Sequence, residues 1–315
     1  MSLTVVFEHA GGGEPIEYLP GQFLTLWIPG KAGLVPRNYS LSSSPHIDDD
    51  LHVTVQRVLG GRASTWIHDE LSPGMYIDAD GPTGVFTPGD LTLDLTLVAS
   101  GSGIGPIVSI LKSALAAGTG KVNLLYLSRM DDAPFAEDIE ALALEYEHRL
   151  TSTVWNSHRR GRIPVEQLRA FLVGGAGREL YLCGSTSLMN ACAELAVDSG
   201  YEQHQIHRED FLSGTDPISD SLPRVVKAKV QLFGETHTWA WNNEAVLLES
   251  MLEQGIAAPF SCRSGICSAC QCRVVAGDVV MNRADGLDPE QIEQNIVLAC
   301  QSHAMSEGVE LDFDI

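Results

Sequence analysis

CRSGICSACQC, residues 262–272, puts four of the chain's seven cysteines into eleven positions. An odd total is a poor start for a disulfide framework. The opening MSLTVVFEHA has neither the basic start nor the long apolar run of a secretion signal. No window approaches the roughly 18 consecutive apolar residues of a membrane span. The expectation is a reducing, cytoplasmic setting, where clustered cysteines bind metal or do redox chemistry.

The spacing sharpens that expectation. Cys262, Cys267 and Cys270 stand as C-x4-C-x2-C, and Cys300 follows in the segment VLACQS. This is the plant-type spacing for a [2Fe–2S] cluster held by four thiolates. It requires a tight loop that turns three sulfurs inward, and Ser264 and Gly265 suit such a loop because glycine tolerates strained dihedrals. A four-coordinate zinc site is the alternative, although zinc sites usually pair two short hooks and here the ligands stand three plus one. Cys272, entering the strand-like CRVV, is expected to be a small buried apolar residue. Residues 224–315 resemble a plant-type ferredoxin domain, which in that family is an α+β β-grasp sheet with the cluster loop at its edge. The local patterns agree: VVKAKVQLFG (225–234) and THTWAW (236–241) read as a hairpin around Gly234, EAVLLESMLEQG (244–255) as a helix, and DPEQIEQN as a short helical stretch.

A ferredoxin domain needs only about a hundred residues, and the length accommodates two or three domains. DFLSGTDPISDSLPR (210–224) has no helical or strand period and reads as a linker over 210–223. The stretch 91–209 alternates strand-like runs (LTLDLTLVAS, KVNLLYLSR, RLTSTVW, ELYLCG) with helical ones (PIVSILKSALAAG, STSLMNACAELAVDSG), which implies a mostly parallel α/β sheet. Strand–GSGIGP–helix is phosphate-binding geometry. The loop is not G-x-G-x-x-G, however, and a plain tight turn explains it equally well. No acid ends the next strand; Ser128 and Arg129 stand there instead.

Residues 1–90 show short alternating strands with Gly and Pro turns, as in an antiparallel β-barrel. The set Arg37-x-Tyr39-Ser40-Leu41 and the following Gly60-Gly61-x-x-Ser64 resemble the flavin domain of the ferredoxin–NADP reductase superfamily. GSGIGP and Cys183-Gly184-Ser185 then resemble that superfamily's nucleotide domain. The order flavin barrel, nucleotide domain, ferredoxin is similar to oxygenase reductases of the phenylacetyl-CoA epoxidase and ketosteroid hydroxylase type, and to hybrid-cluster protein reductase.

The resemblance implies roles. Tyr39 would pack on the isoalloxazine, Ser40 would hydrogen-bond near its reactive nitrogen, and Arg37 would pair with flavin phosphate. Val55, Gln56 and Arg57 would line the ribityl and phosphate. Gly61, Ala63, Ser64 and Thr65 would offer amides to a second phosphate, favouring FAD over FMN. Gly101 and Gly103 would admit pyrophosphate, Cys183 and Gly184 would border the nicotinamide, and Phe211 would cover the flavin's other face. Ser128 and Arg129 are positioned for a 2′-phosphate, yet the same Arg occurs in NADH-using relatives, and the balance leans to NADH. Three departures stand out: Gly105 precedes Pro106 where the family has Thr-Pro, Ser185 replaces a proline, and the first barrel strand reads as shortened or missing.

The formal net charge of −21, from 41 acids against 20 bases, argues against nucleic acid. Acids near the cluster would steer an electron acceptor with a basic docking patch, such as an oxygenase, desaturase or hybrid-cluster protein. Two readings follow. In one, NAD(P)H reduces a flavin, the flavin a cluster and the cluster a separate acceptor; in the other, a carrier or sensor has lost hydride chemistry, for which Gly105 is the motive.

Overall fold

The computed structural model describes residues 1–8, 16–30, 33–58, 61–209, 211, 225–243, 245–263, 265–284 and 286–315. The expectations placed on Gly60, on residues 212–224, on Glu244 and on Ser264 lie outside the described residues. By contact the chain divides into two units, Met1–Asp210 and Phe211–Ile315.

The first unit opens with antiparallel strands: β1 (Ser2–Phe7), β2 (Phe23–Gly30), β3 (Gly33–Ser40), β4 (Leu51–Gln56) and β5 (Ala79–Thr83), with helix α1 (Arg62–Asp69) before β5. The first strand, expected to be shortened or missing, is present and pairs with β4 in register Leu3↔Val55. It is easily overlooked because none of its side chains is buried and it has no apolar alternation to announce it. β2 pairs with both β3 and β5, and a single bridge from Leu41 to Val53 links the β3 end to β4. β4 shows strict alternation, with Leu51, Val53 and Val55 turned into a core they share with Leu24, Leu26, Ile28 and Ile67.

The same unit continues as a parallel sheet. The elements are β6 (Asp94–Ser100), α2 (Ile104–Ala117), β7 (Val122–Ser128), α3 (Ala136–Glu145), β8 (Leu150–Asn156), α4 (Ser157–Arg160), α5 (Val165–Leu172), β9 (Arg178–Cys183), α6 (Thr186–Asp198) and β10 (Ile206–Glu209). Strand order is β10-β9-β6-β7-β8, all parallel. β6 buries five consecutive residues because helices cover both faces of the sheet. The connection leaves β6 toward β7 on one side and returns to β9 on the other, so the chain reverses direction at the carboxyl end of β6, where such sheets bind ligands.

Barrel and sheet meet along a buried polar seam. The Ser109 hydroxyl donates to the Ser43 carbonyl, and Ser44 and Ser113 hydroxyls pair at 2.7 Å. Lys112 reaches Asp48 at 3.2 Å. All four serines are less than 2% exposed. Buried hydroxyls without partners cost free energy, so the seam fixes one arrangement rather than a sliding apolar contact.

The second unit is a mixed sheet of β11 (Val225–Leu232), β12 (Glu235–Asn242), β13 (Gln271–Ala276), β15 (Ile296–Leu298) and β17 (Gly308–Asp312). Helix α7 (Leu247–Glu253) and the separate pair β14 (Val279–Met281) and β16 (Ser302–Ala304) complete it, with α8 (Pro289–Glu293) between β14 and β15. The order is β12-β11-β17-β13-β15: the last strand made lies in the middle, parallel to β11 and antiparallel to β13. The hairpin turns through Phe233 and Gly234, both with positive φ, and their amides donate to the Asp314 carboxylate at 2.6 and 2.8 Å. α7 starts three residues later than the expected 244–255, at the residue after Val246. Among the described residues, no helix is long and apolar enough to cross a membrane.

Candidate functional site

The cluster loop is built by three left-handed residues, Arg263, Gly265 and Ser268, with φ of 56°, 80° and 56°. Two of them are not glycine, and each such residue costs about 1 kcal/mol or more, so the surroundings must impose the bend. They do. The Gly286 amide donates to the Gly265 carbonyl at 2.8 Å, the Ser268 hydroxyl donates to the Gly286 carbonyl, and a Cβ on Gly286 would come within 2.7 Å of the Ile266 backbone. From the other side the Gln301 amide, 2% exposed, donates to the Arg263 carbonyl at 3.1 Å.

The four cysteines stand as two pairs. Cys267 shares a hydrogen bond with Cys262, and that bond together with burial raises its thiol pKa well above the ordinary range. Cys300 does the same with Cys270, while Gln301 pulls it the other way, its side-chain amide lying 3.6 Å from the Cys300 sulfur. The Cys262 amide points at the Cys267 sulfur at 3.4 Å. Thiols gathered this closely ionise only if a cation offsets their repulsion. Two pairs, one per metal, fit a two-iron cluster held by four thiolates. Cys272 stands apart, fully buried and paired across the sheet with Val297.

In the barrel, Tyr39 is half-buried against the core, and burial pushes its hydroxyl up to about 12. Ser40 ends β3, and its hydroxyl donates to Glu209 at 3.2 Å, at the end of β10. Arg37 is exposed and donates to the Pro36 carbonyl at 2.7 Å. Val55 faces the barrel core at 1% exposure. Arg57 is held by a two-pronged ion pair to Asp69, which raises the guanidinium and lowers the carboxyl. No side chain caps α1, whose first turn also carries no acid. Ser64 uses its hydroxyl locally, accepting from the Val58 amide at 3.1 Å and donating to the Gly61 carbonyl at 3.3 Å. Ala63 lies against the barrel core, and the Thr65 amide donates to Gly61 at 3.1 Å. An uncapped helix start free of carboxylates, on the same barrel as a half-buried tyrosine, fits a phosphate-bearing flavin.

The glycine loop and the Cys183–Gly184 turn interlock. A Cβ on Gly103 would meet the Cys183 carbonyl oxygen at 2.3 Å, and one on Gly184, at φ +152°, would meet the Ser100 hydroxyl at 2.2 Å. These two glycines are needed for packing. Gly101, at φ +55°, has Gln56 at 3.8 Å as its nearest neighbour, so its outer side is open. Gly105 is buried, and a Cβ there would lie 3.8 Å from the Ser40 carbonyl. Cys183 is 1% exposed, whereas Ser185 donates its amide to the Ser100 hydroxyl at 2.9 Å. Ser128 is buried, its hydroxyl accepting the Met130 amide at 3.0 Å, while Arg129 is exposed. Phe211, in the second unit, is 44% exposed and flanked by undescribed residues.

Barrel, parallel sheet and cysteine-bearing domain define a flavin- and nucleotide-dependent electron-transfer oxidoreductase. Family models match in that order: oxidoreductase FAD-binding domain over 4–87, oxidoreductase NAD-binding domain over 97–194, and 2Fe-2S iron-sulfur cluster binding domain over 230–305. The chain is 40% identical, over 94% of its length and 88% of the relative's, to the ferredoxin reductase component of 3-ketosteroid-9-alpha-monooxygenase from Rhodococcus rhodochrous. It is 26% identical to a component of 1,2-phenylacetyl-CoA epoxidase from Escherichia coli, covering 96% of this chain and 90% of that one. The solved phthalate dioxygenase reductase shares the fold, with a TM-score of 0.69 at 21% identity over 99% of this chain and 92% of the other. The chain belongs to the family of ferredoxin reductase components of oxygenases. It is an NAD(P)H oxidoreductase whose domains bind FAD, NAD and a [2Fe–2S] cluster.

Sequence reading passed over two residues of this site. Glu209 stands 169 positions from Ser40 in the chain, and nothing in sequence signals their contact. Gln301 was within sight: an amide beside a ligand cysteine is a ready donor to its sulfur.

Proposed function

We propose that hydride enters where Ser40 meets Glu209 and electrons leave through Cys262, Cys267, Cys270 and Cys300 to a monooxygenase component. The observation that carries the reading is the Ser40–Glu209 hydrogen bond at 3.2 Å, which joins the barrel's β3 to the sheet's β10 beside Gly105, at the start of α2. FAD, when bound, accepts a hydride as a pair and releases electrons singly, reconciling a two-electron donor with a one-electron cluster. Ser40 would hold the flavin's reacting edge through its hydroxyl, and Glu209 would orient that hydroxyl. Tyr39 would cover one face of the ring. Arg37 and the amides of Ala63 and Ser64 would bind its phosphates, with Gly61 and Thr65, whose amides donate to Val58 and Gly61 carbonyls, shaping the helix start, and Val55 and Arg57 contributing backbone and shape. Gly101 and Arg129 would face the dinucleotide, while Gly103, Ser128, Cys183 and Gly184 shape the floor beneath it.

The domain limits follow as 1–90, 91–209, a linker over 210–223, and 224–315. The acceptor to try first is a 3-ketosteroid 9α-monooxygenase, because the relatives at 40% identity carry that name. Residues 257–272 carry one charged side chain, Arg263, which Glu249 holds at 3.1 Å. The steering acids would therefore be those around α8, namely Asp288, Glu290 and Glu293, facing a basic patch on the acceptor. A cytoplasmic setting suits thiols kept for a cluster.

An anaerobic absorbance titration with NADH and then NADPH tests the reading. Flavin and iron–sulfur bands should bleach together, and Ser40→Ala should slow the bleaching without releasing flavin. No bleaching with either nucleotide in fully loaded protein would overturn it.

A further inference from the structure

Phe233 is the first of the two residues that turn the β11–β12 hairpin, just past the last cross-strand pair, Leu232↔Glu235. Its φ is +51°, and it is 75% exposed. A two-residue turn of this hand favours asparagine or aspartate at that position, since a bulky side chain is strained in the left-handed region. The ring gains nothing from burial in return. The fold nevertheless holds it out. The Phe233 and Gly234 amides donate to the Asp314 carboxylate, and that segment is fixed in turn: the Asp314 amide donates to the Asp312 carboxylate at 2.9 Å and the Phe313 amide to the Gln231 carbonyl at 2.9 Å.

Phe233 borders a groove of about 470 Å³ between the start of β12 and the carboxyl end of α7. Leu232 and Ile256, from the core of this unit, give it an apolar base. Its charge is negative. Glu235, whose side chain is 80% exposed, stands beside His237, and no lysine or arginine is among the described residues that line it. α7 ends there with Glu253 and no basic residue in its last turn, so the partial negative charge of the helix end is not offset.

An exposed ring, an apolar base and unanswered negative charge complement one side chain above others. Arginine has an apolar stem and a planar cation that stacks on aromatic faces. The same unit already shows this combination: Arg263 lies 4.6 Å from the centroid of the Phe260 ring and pairs with Glu249 at 3.1 Å. A second copy of a chain with net charge −21 is a poor source of the cation. Ala257, on the groove, is five residues before Cys262, so the two lie within about 18 Å of each other. We propose that this groove receives an arginine from the surface of the electron-accepting oxygenase component, its stem against Phe233 and its guanidinium beside Glu235. The proposal rests on the reading that electrons leave through the cysteine loop. The acids around α8 attract at a distance, whereas the groove makes contact and fixes the orientation.

The experiment uses flavin- and cluster-loaded wild type, Phe233→Asn, Glu235→Arg and, as a control for total charge, Glu194→Arg on the exposed face of α6. The probe is the oxygenase component of 3-ketosteroid-9-alpha-monooxygenase. Its Kd is measured by calorimetry, and NADH-driven kcat/KM is measured for it and for ferricyanide, which needs no docking. Phe233→Asn keeps a residue that the turn favours, so its thermal midpoint should not fall. It should raise Kd and lower kcat/KM for the oxygenase component by about tenfold, and Glu235→Arg by tenfold or more, with ferricyanide unchanged in both. Glu194→Arg should change Kd by less than about twofold. A wild-type Kd in Phe233→Asn or in Glu235→Arg overturns the proposal, as does an equal loss with Glu194→Arg. A wild-type dimer in sedimentation that Phe233→Asn dissociates would assign the groove to a second copy and also overturn it. Wild type that reduces ferricyanide but neither binds nor reduces the oxygenase component would instead refute the reading of the acceptor beneath it.

Discussion

Gly103 and Gly105 are two residues apart at the start of α2, yet replacing each by alanine should act with opposite sign. At Gly103 the added methyl would lie 2.3 Å from the Cys183 carbonyl oxygen and 2.5 Å from its carbon, against 3.4–4 Å for ordinary contact. Those are backbone atoms at the end of β9, and no rotamer relieves the overlap, so the glycine loop must lift or β9 must shift. Overpacking of this kind costs about 1–3 kcal/mol. At Gly105 the nearest atom is 3.8 Å away, and the backbone is helical. There alanine removes the entropy penalty of a helical glycine, a gain of roughly 0.5–1 kcal/mol. At about 2–4 °C per kcal/mol for a unit of this size, the midpoint should fall by about 5 °C for Gly103→Ala and rise by about 2 °C for Gly105→Ala. Thermal unfolding followed by flavin fluorescence and by circular dichroism measures both. A neutral Gly103→Ala, or a Gly105→Ala that destabilises, would refute the view that Gly103 is kept for packing and that Gly105 leaves usable space beside Ser40.

Other outcomes are equally definite. Gln301→Leu removes a donor from the Cys300 sulfur and should lower the cluster's reduction potential by about 40 mV, as loss of roughly 1 kcal/mol of preference for the reduced state implies for one electron; an unchanged potential in a redox titration followed by electron paramagnetic resonance would dismiss the contact. Cys300→Ser should abolish the cluster's visible absorption while NADH still bleaches the flavin, whereas Cys272→Ser, outside the ligand set, should retain that absorption and lower the midpoint of the second unit. His303, 1% exposed, donates from Nδ1 to the Asn243 carbonyl at 3.1 Å, and burial holds its pKa below the usual histidine range. The unfolded chain then takes up the extra proton, so this contribution is intact above pH about 6.5 and is lost as pH falls toward the folded value. Denaturant unfolding between pH 5 and 8 should show that decline and a flatter profile in His303→Gln; parallel profiles would count against it.

The domain order was legible because each domain carries its own periodicity. LTLDLTLVAS reads as a strand, and its last seven residues, Asp94–Ser100, form a buried parallel one; CRSGICSACQC reads as a ligand loop, and within it the Cys262 amide reaches the Cys267 sulfur. β1 was nearly missed because an exposed edge strand leaves no apolar alternation. The helix expected over 244–255 shrank at its start, where Ala245 donates to Asn242 in a turn instead. The contacts that join Ser40 to Glu209 and Asp131 to Arg159 were invisible, since they span 169 and 28 positions and belong to strand ends that only the sheet order brings together. Gly103 shows the reverse difficulty. Its loop motif points to a ligand, but its own Cβ position points at Cys183, and only coordinates separate a glycine that admits a phosphate from one that admits a neighbouring strand.

The placement of β17 between β11 and β13 bears on how the protein is made. Until Gly308–Asp312 has been synthesised, the hairpin β11–β12 and the pair β13–β15 have no strand between them, and the Phe233–Gly234 turn lacks the Asp314 carboxylate that holds it. Cys262, Cys267, Cys270 and Cys300, the proposed cluster ligands, all precede that strand in the chain. A nascent chain ending before Gly308 should therefore carry these thiols on a sheet that has not yet closed.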